Sequence, residues 1–264
     1  MIISDPHRFA FIHIPKCAGS AIRSQLSRYD SYEGRFSQKG IHPELGQVDL
    51  SHLPLSTLRD FFPGEFEKLN AYRSFAVVRN PYTRFLSAVL QHVQEFEKAT
   101  YDELHFASVA SRASQIADRL EAGEGRRPEF VHFTRQSDFV AIDGRRVVPN
   151  LFAFEDIAPF ALALQNEFGM AFDVTQRLNK SLVQDRAPLR VMRRAIGPTY
   201  RRVVSEGVRN RINRAINKAR IIKTPEALYE KLLGRRELRG FIEEYYADDL
   251  ALHRSLAVRR NGTP

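Results

Sequence analysis

The stretch Phe9-Ala-Phe-Ile-His-Ile-Pro-Lys-Cys-Ala-Gly-Ser20 decides the fold. Phe9–Ile14 is an apolar run of strand length that stops at Pro15. Small residues carrying one lysine follow it, and Ala21–Tyr29 continues with a helical pattern. A strand that breaks into a small-residue loop and re-enters a helix is how α/β proteins hold an anion. The small residues let backbone N–H groups approach, and the helix offers its positive end. The usual triphosphate loop, with a glycine four residues ahead of Gly-Lys-Ser/Thr, is absent. Here Lys16 precedes Gly19, so the loop suits some other anion.

Working outward, Gln47–His52 reads as a second short strand, with a Pro-led helix over Leu55–Phe62. Tyr72–Val78 is apolar on both faces, as a central strand of a parallel sheet requires. It ends at Arg79-Asn80-Pro81, and a proline at a helix start predicts the helix from Tyr82 to about Phe96. Leu104–Leu120 reads as another helix. Phe139–Val148 reads as a hairpin turning at Asp143-Gly144. Leu151–Phe154 reads as a strand and Ile157–Phe168 as a helix. This alternation predicts a three-layer α/β domain around a mostly parallel sheet. From Pro188 to Lys223, apolar residues recur every four positions from Met192 to Ile216, opposite a face of arginines and Lys218. That face is either a solvated helix surface or a platform for an anionic acceptor. The simplest organisation is one domain, 1–264, with a basic helical insertion at about 188–223 and a helical C-terminal portion.

Composition narrows the class. The 264 residues are 43% hydrophobic and 27% charged, as in a soluble globular protein. No run reaches the roughly 18–20 apolar residues that span a bilayer, and the first residues lack a signal-peptide plan. The single cysteine, Cys17, excludes an internal disulfide and a cysteine-based zinc site. These features predict a cytoplasmic protein. The net charge of +9 favours anionic ligands without choosing among them.

A second motif decides more. Arg79-Asn-Pro-Tyr-Thr-Arg-Phe-Leu-Ser87 places an arginine at the end of a central strand and a serine two helical turns on. An arginine fork and a serine hydroxyl can cage a phosphate where open α/β sheets bind ligands. An apolar strand into Pro-Lys-x-x-Gly-Ser, then a strand into Arg-Asn-Pro-x-x-Arg-Phe-x-Ser, resembles the cytosolic and carbohydrate sulfotransferases. The likeness is nearest to the second sulfotransferase family, which includes heparan 2-O- and chondroitin sulfotransferases and many bacterial members. Phe133-Thr-Arg-Gln-Ser-Asp-Phe-Val140 with Asp143-Gly144, Phe152-Ala-Phe-Glu-Asp156, Leu178-Asn-Lys-Ser181 and Ile242–Leu250 follow in family order. The resemblance covers about residues 8–182 and a short C-terminal piece, and leaves the basic segment unexplained.

The resemblance implies a P-loop-like sulfotransferase fold, and the donor 3′-phosphoadenosine 5′-phosphosulfate (PAPS) with PAP as product. Pro15, Lys16, Cys17, Ala18, Gly19, Ser20 and Ala21 would wrap the 5′-phosphosulfate, Lys16 opposing charge on the leaving oxygen. Arg79 and Ser87 would grip the 3′-phosphate, and Asn179, Lys180 and Ser181 would belong to a loop closing over the nucleotide. Cys17 departs from the usual threonine or serine, which could remove a hydroxyl donor. Transfer to an alcohol benefits from a general base. His52, in Val48-Asp-Leu-Ser-His-Leu-Pro54, matches the catalytic histidine of the heparan 2-O members; its alternative role is structural. His42 is the runner-up, His13 reads as a core residue, and His92, His105 and His132 have no motif context. Arg135 and Gln136 could face the acceptor. Arg84 is expected to pair with a carboxylate. Glu155 and Asp156 are expected to cap the helix at Ile157, Phe152 and Phe154 to be core, and the Tyr245–Asp249 cluster to dock the last helix. No His/Asp/Glu spacing suggests a metal ion, and the chemistry needs none.

The leading reading is therefore sulfuryl transfer from PAPS to an acceptor hydroxyl by in-line displacement. The acceptor would be a carbohydrate, in some cases an anionic glycan, with a small-molecule or lipid-linked hydroxyl as the alternative. A polyanion- or nucleic-acid-binding protein using the Arg-rich helices ranks second. Its basic residues lack interleaved aromatics, and no helix-turn-helix or zinc-finger signature is present. A kinase ranks last, for want of a Gly-Lys-Ser/Thr loop and a magnesium-binding acid.

Overall fold

In the computed structural model, which describes residues 1–96, 106–174 and 225–261, the apolar run becomes β2, Phe9–Ile12. All four of its residues are buried, because both faces are covered. The edge strand β1 (Ile2–Ser4) pairs with it antiparallel. On its other side lies β5 (Arg73–Val78), parallel, and beyond that β8 (Asn150–Ala153), also parallel. The central sheet therefore runs β1-β2-β5-β8 and is mostly parallel. This bears out the continuous apolar pattern of the second and third of those strands.

Phenylalanines fill the space beneath it. The Phe75 ring lies 5.5 Å from Phe9, 6.0 Å from Phe152 and 5.9 Å from Phe168. Phe160 packs on Phe11 at 5.8 Å. Phe160 and Phe168 both belong to α6 (Ala158–Phe168), so this helix covers one face of the sheet. The loop after β2 leads into α1 (Gly19–Leu26), and Ser27–Tyr29 extends it as a 3₁₀ turn.

A second core holds the site from the other side. It joins α4 (Pro81–Phe96), α5 (Phe106–Glu121), α7 (Pro225–Leu233) and α8 (Arg236–Tyr245). Phe85 is its centre, 5.6 Å from Phe133 and 5.5 Å from Phe241. At the start of α4, Asn80 Oδ1 accepts the Tyr82 N–H at 3.0 Å and Pro81 leads the first turn. The last helix, α9 (Ala247–Asn261), follows directly on α8.

One sequence expectation changes here. Gln47–His52 is not one strand of the main sheet. It divides into β4 (Gly46–Asp49), paired with β3 (Lys39–His42) in a separate hairpin, and a 3₁₀ turn, Leu50–His52. Asp49 breaks the strand by accepting the Ser51 N–H at 2.9 Å, which starts the turn. The Asp143-Gly144 hairpin is present, joining β6 (Ala141–Ile142) to β7 (Arg145–Arg146). Both turn residues have positive φ, 49° and 74°. Between those hairpins lie α2 (Leu55–Phe61) and α3 (Pro63–Ala71). No helix among the described residues is long and apolar enough to cross a membrane. The basic 188–223 segment and the Asn179–Ser181 loop lie outside the described residues.

Candidate active site

The loop between β2 and α1 is bent twice into the left-handed region, at Lys16 (φ 66°) and Ala18 (φ 61°), neither of them glycine. Each such residue costs about 1–3 kcal/mol unless its surroundings impose it. They do. Arg84, 1% exposed, donates from Nε to the Pro15 carbonyl at 3.1 Å, and from Nη2 to the His132 carbonyl at 3.3 Å and to the Thr134 carbonyl. Arg79 Nη1 donates to the Lys16 carbonyl at 3.2 Å. Cys17 Sγ donates to Gln136 Oε1 at 3.2 Å. Gln136 in turn accepts the Arg79 N–H at 2.9 Å and donates to the Arg79 carbonyl at 2.9 Å. Beneath these, Asp249 accepts the Gln136 and Ser137 N–H groups at 2.7 and 2.8 Å and lies 3.9 Å from Arg84. The first turn of α1 is thus presented on a largely buried polar brace.

Gly19 begins that turn because nothing larger fits. A Cβ there would lie 1.6 Å from His13 Cδ2. The His13 ring crosses under the loop and reaches His52, with centroids 4.4 Å apart. Arg23 Nη1 lies 3.4 Å from its Nδ1.

The cation of the loop is tuned by its setting. Lys16 donates from Nζ to Gln91 on α4. Burial first, and Arg79 second, bring its pKa down from 10.5 to about 8. Among the described residues no carboxylate forms an ion pair with Lys16, so an anion arriving at the loop meets a cation short of charge compensation.

Ser20 and Gln91 lead into a cleft of about 1880 Å³ that also exposes Asp49, His52, His132 and Arg135. His52 Nδ1 lies 3.4 Å from the His13 carbonyl. With the proton on Nδ1, Nε2 carries the free lone pair. The His52 and His132 rings meet edge to face at 5.4 Å. Burial brings His52 down to about 4 against the opposing pull of Asp49. Burial, then His52 and Lys16, bring His132 to about 3. Both imidazoles are therefore neutral at pH 7. Asp49 holds Ser51 through both its N–H and its hydroxyl, which fixes the turn that carries His52.

A strained small-residue loop with its own lysine, a brace built from the Arg79–Arg84 motif, and neutral histidines in the adjoining cleft form one unit. A model of the Sulfotransferase family matches residues 1–254. The chain belongs to the sulfotransferase family. Comparison with curated proteins and with solved structures finds no match in either.

In this sulfotransferase several sequence-predicted residues have roles other than the expected ones. Gln136 does not face an acceptor: it is fully buried, and its side chain is committed to Arg79 and Cys17. His42 lies in the β3–β4 hairpin, where Nδ1 accepts the Glu44 and Leu45 N–H groups at 3.2 and 3.4 Å; it does not line the cleft. Glu155 does not cap the helix beyond it, whose N-cap position is Ile157. It accepts the Asn80 N–H at 2.9 Å and pairs with His253 at 3.1 Å. The Cys17 thiol points inward, and burial pushes it up to about 11. A hydroxyl in that rotamer would bond Gln136, so the ligand side of the loop is unaffected by the exchange.

Others stand where the sequence put them. Arg84 does face a carboxylate, Asp249, and Tyr246 docks the C-terminal helices by donating to the Phe133 carbonyl at 2.8 Å. Phe152 is half-buried against the core, and Phe154 lies 4.7 Å under the Arg79 guanidinium. His13 is a buried residue bonded within the fold. Arg79 is buried where β5 ends and Ser87 two turns into α4, and Arg79 Nε donates to Thr83 Oγ1 at 3.1 Å. Neither Arg79 nor Ser87 lines the cleft. Arg135 does, with its guanidinium 4.7 Å over Tyr245 and its Nε without a hydrogen-bond partner. His132 and Gln91 carry no sequence signal because they meet the motif residues only through tertiary contacts, and Asp49, three residues before His52, is not singled out within its stretch.

Proposed function

We propose that this sulfotransferase uses PAPS as donor, that the Pro15–Ala21 loop holds the 5′-phosphosulfate, and that His52 is the general base. The observation that carries the reading is the pairing of a lysine-bearing, helix-leading loop, whose Ser20 opens onto the cleft, with a neutral histidine that lines the same cleft. When bound, the donor supplies a sulfuryl group that is displaced from a bridging oxygen. Lys16 supplies the positive charge that opposes the charge left behind, and the N–H groups opening α1 add to it without reorganisation. Arg79, already anchored to the Lys16 carbonyl, would couple a 3′-phosphate grip to the shape of the loop. His52 takes the acceptor hydroxyl's proton on Nε2 while Nδ1–H remains on the His13 carbonyl. Its pKa of about 4 makes it a weak base in the free protein, and an anion beside it raises that value.

The acceptor sits in the cleft. Among the described residues its lining holds eight carboxylates against five lysines and arginines, so it offers no basic track. A neutral hydroxyl-bearing acceptor suits it better than a polyanionic chain, and resemblance to glycan-modifying members favours a carbohydrate over a small-molecule or lipid-linked alcohol. That balance also counts against the nucleic-acid alternative. His52→Ala should lower turnover by about 10²–10⁴-fold, the usual contribution of a general base, while affinity for PAP stays within twofold. Single-turnover sulfate transfer with a panel of hydroxyl acceptors measures the first, and calorimetry the second. Full turnover in the variant would remove His52 from this role.

A further inference from the structure

Three side chains from separate segments converge in the cleft. Asp49 ends β4, His52 closes the turn after it, and His132 comes from the 3₁₀ stretch Pro128–Phe133. One donor atom from each lies within 4.8 Å of the other two. We propose that Asp49, His52 and His132 form a binding site for a zinc-class divalent ion, and that its occupancy reversibly switches the enzyme off.

The donor set selects the ion. Two imidazoles and one carboxylate with an open fourth position suit zinc or cobalt(II), whereas magnesium and calcium seek shells of oxygen. The outer contacts that such ligands need are already in place. His52 presents Nδ1 to the His13 carbonyl at 3.4 Å, which leaves Nε2 for an ion. Asp49 is oriented by the Ser51 N–H at 2.9 Å and by the Ser51 hydroxyl, both on Oδ1, which leaves Oδ2. All three residues line the cleft, so an ion has a path from solvent. At zinc–nitrogen distances of about 2.1 Å, tetrahedral donors stand about 3.4 Å apart. Closing to that spacing needs side-chain rotation of Asp49 and His132, both only partly buried, while His52 stays in place.

The site itself does not depend on the reaction assigned above; its inhibitory effect does, because it rests on His52 Nε2 being the lone pair that the base uses. An ion there leaves the Pro15–Ala21 loop untouched, so nucleotide binding should survive while proton transfer stops.

The test titrates metal-free full-length protein with cobalt(II), followed by its visible absorption, and with zinc by calorimetry. One equivalent should bind with a tetrahedral cobalt spectrum, and His132→Ala and Asp49→Asn should each weaken binding at least tenfold. X-ray absorption on the zinc-loaded wild-type protein should show two imidazoles and oxygen donors, a readout independent of whether the variants fold. One equivalent of zinc should abolish turnover, a chelator should restore it, and PAP affinity should not change. Absence of one-to-one binding, equal binding in both variants, or a shell without two imidazoles would overturn the site. Binding with the expected shell but undiminished turnover would keep the site and overturn its inhibitory role, together with His52 as base.

Discussion

Replacing Gly19 by alanine places a methyl group inside the His13 ring. Its Cβ would lie 1.6 Å from Cδ2, 2.0 Å from Nε2 and 2.5 Å from Cγ, where carbon contacts settle at about 3.5–4.0 Å. The shortfall is close to 2 Å, and the ring cannot yield it. His13 is 4% exposed, tilted against His52 with ring centroids 4.4 Å apart, and approached by Arg23 at its far nitrogen. Gly19 is helical, so alanine brings no backbone strain and would gain up to about 1 kcal/mol in helix propensity. Overpacking costs about 1–3 kcal/mol where neighbours can shift slightly. Here either the ring or the start of α1 must move, so we expect the upper end, about 3 kcal/mol, with loss of PAP binding. Urea unfolding of Gly19→Ala, His13→Ala and the double variant measures it. With the ring gone the methyl group fits, so the cycle should show about 2–3 kcal/mol of favourable coupling. A Gly19→Ala protein within about 0.5 kcal/mol of wild type, the range of an ordinary surface change, would refute the steric account.

Two further outcomes follow from the brace and the loop lysine. Arg84→Met should destabilise the fold by about 3–5 kcal/mol, because Asp249 keeps its charge at 0% exposure with its cation removed. Arg84→Lys should not restore it, since one ammonium cannot reach the Pro15, His132 and Thr134 carbonyls together; thermal unfolding of both variants decides this. Lys16, at about 8, should make PAP affinity fall as pH rises through 8, with proton uptake on binding seen as a buffer-dependent heat. The sign for the free protein is opposite. Its unfolded chain keeps the lysine proton up to about 10.5 and its folded state only to about 8, so unfolding free energy should rise across that window while binding weakens. Lys16→Arg should flatten the binding profile.

What the sequence revealed follows from how each part is buried. β2 and β5 are covered on both faces and so read as unbroken apolar runs, whereas the edge strand β8 buries only Leu151 fully. β1 has only three residues, and β3 alternates between exposed and half-exposed positions, so neither carries such a signal. The loop and the Arg79–Arg84 motif were legible because their chemistry is local: a lysine among small residues, and an arginine behind a strand. Their division of labour was not. That Gln136 ties Cys17 to Arg79, and that Asp249 fixes Gln136 from the last helix, depends on contacts across 57 to 119 positions for which no spacing rule exists. His132 was passed over for the same reason: it reaches His52 only because the stretch after α5 folds back over the hairpin.

The central claim is that the loop and Arg79 together recognise a nucleotide phosphorylated at both its 5′ and 3′ positions. Calorimetric titration with PAP, against adenosine 5′-phosphate as control, tests it most directly. The account predicts binding that depends on the 3′-phosphate and is weakened in Arg79→Ala by about 1.5–3 kcal/mol, the range for a charged hydrogen bond. Equal affinity for the two nucleotides, or binding that Arg79→Ala leaves unchanged, would contradict it.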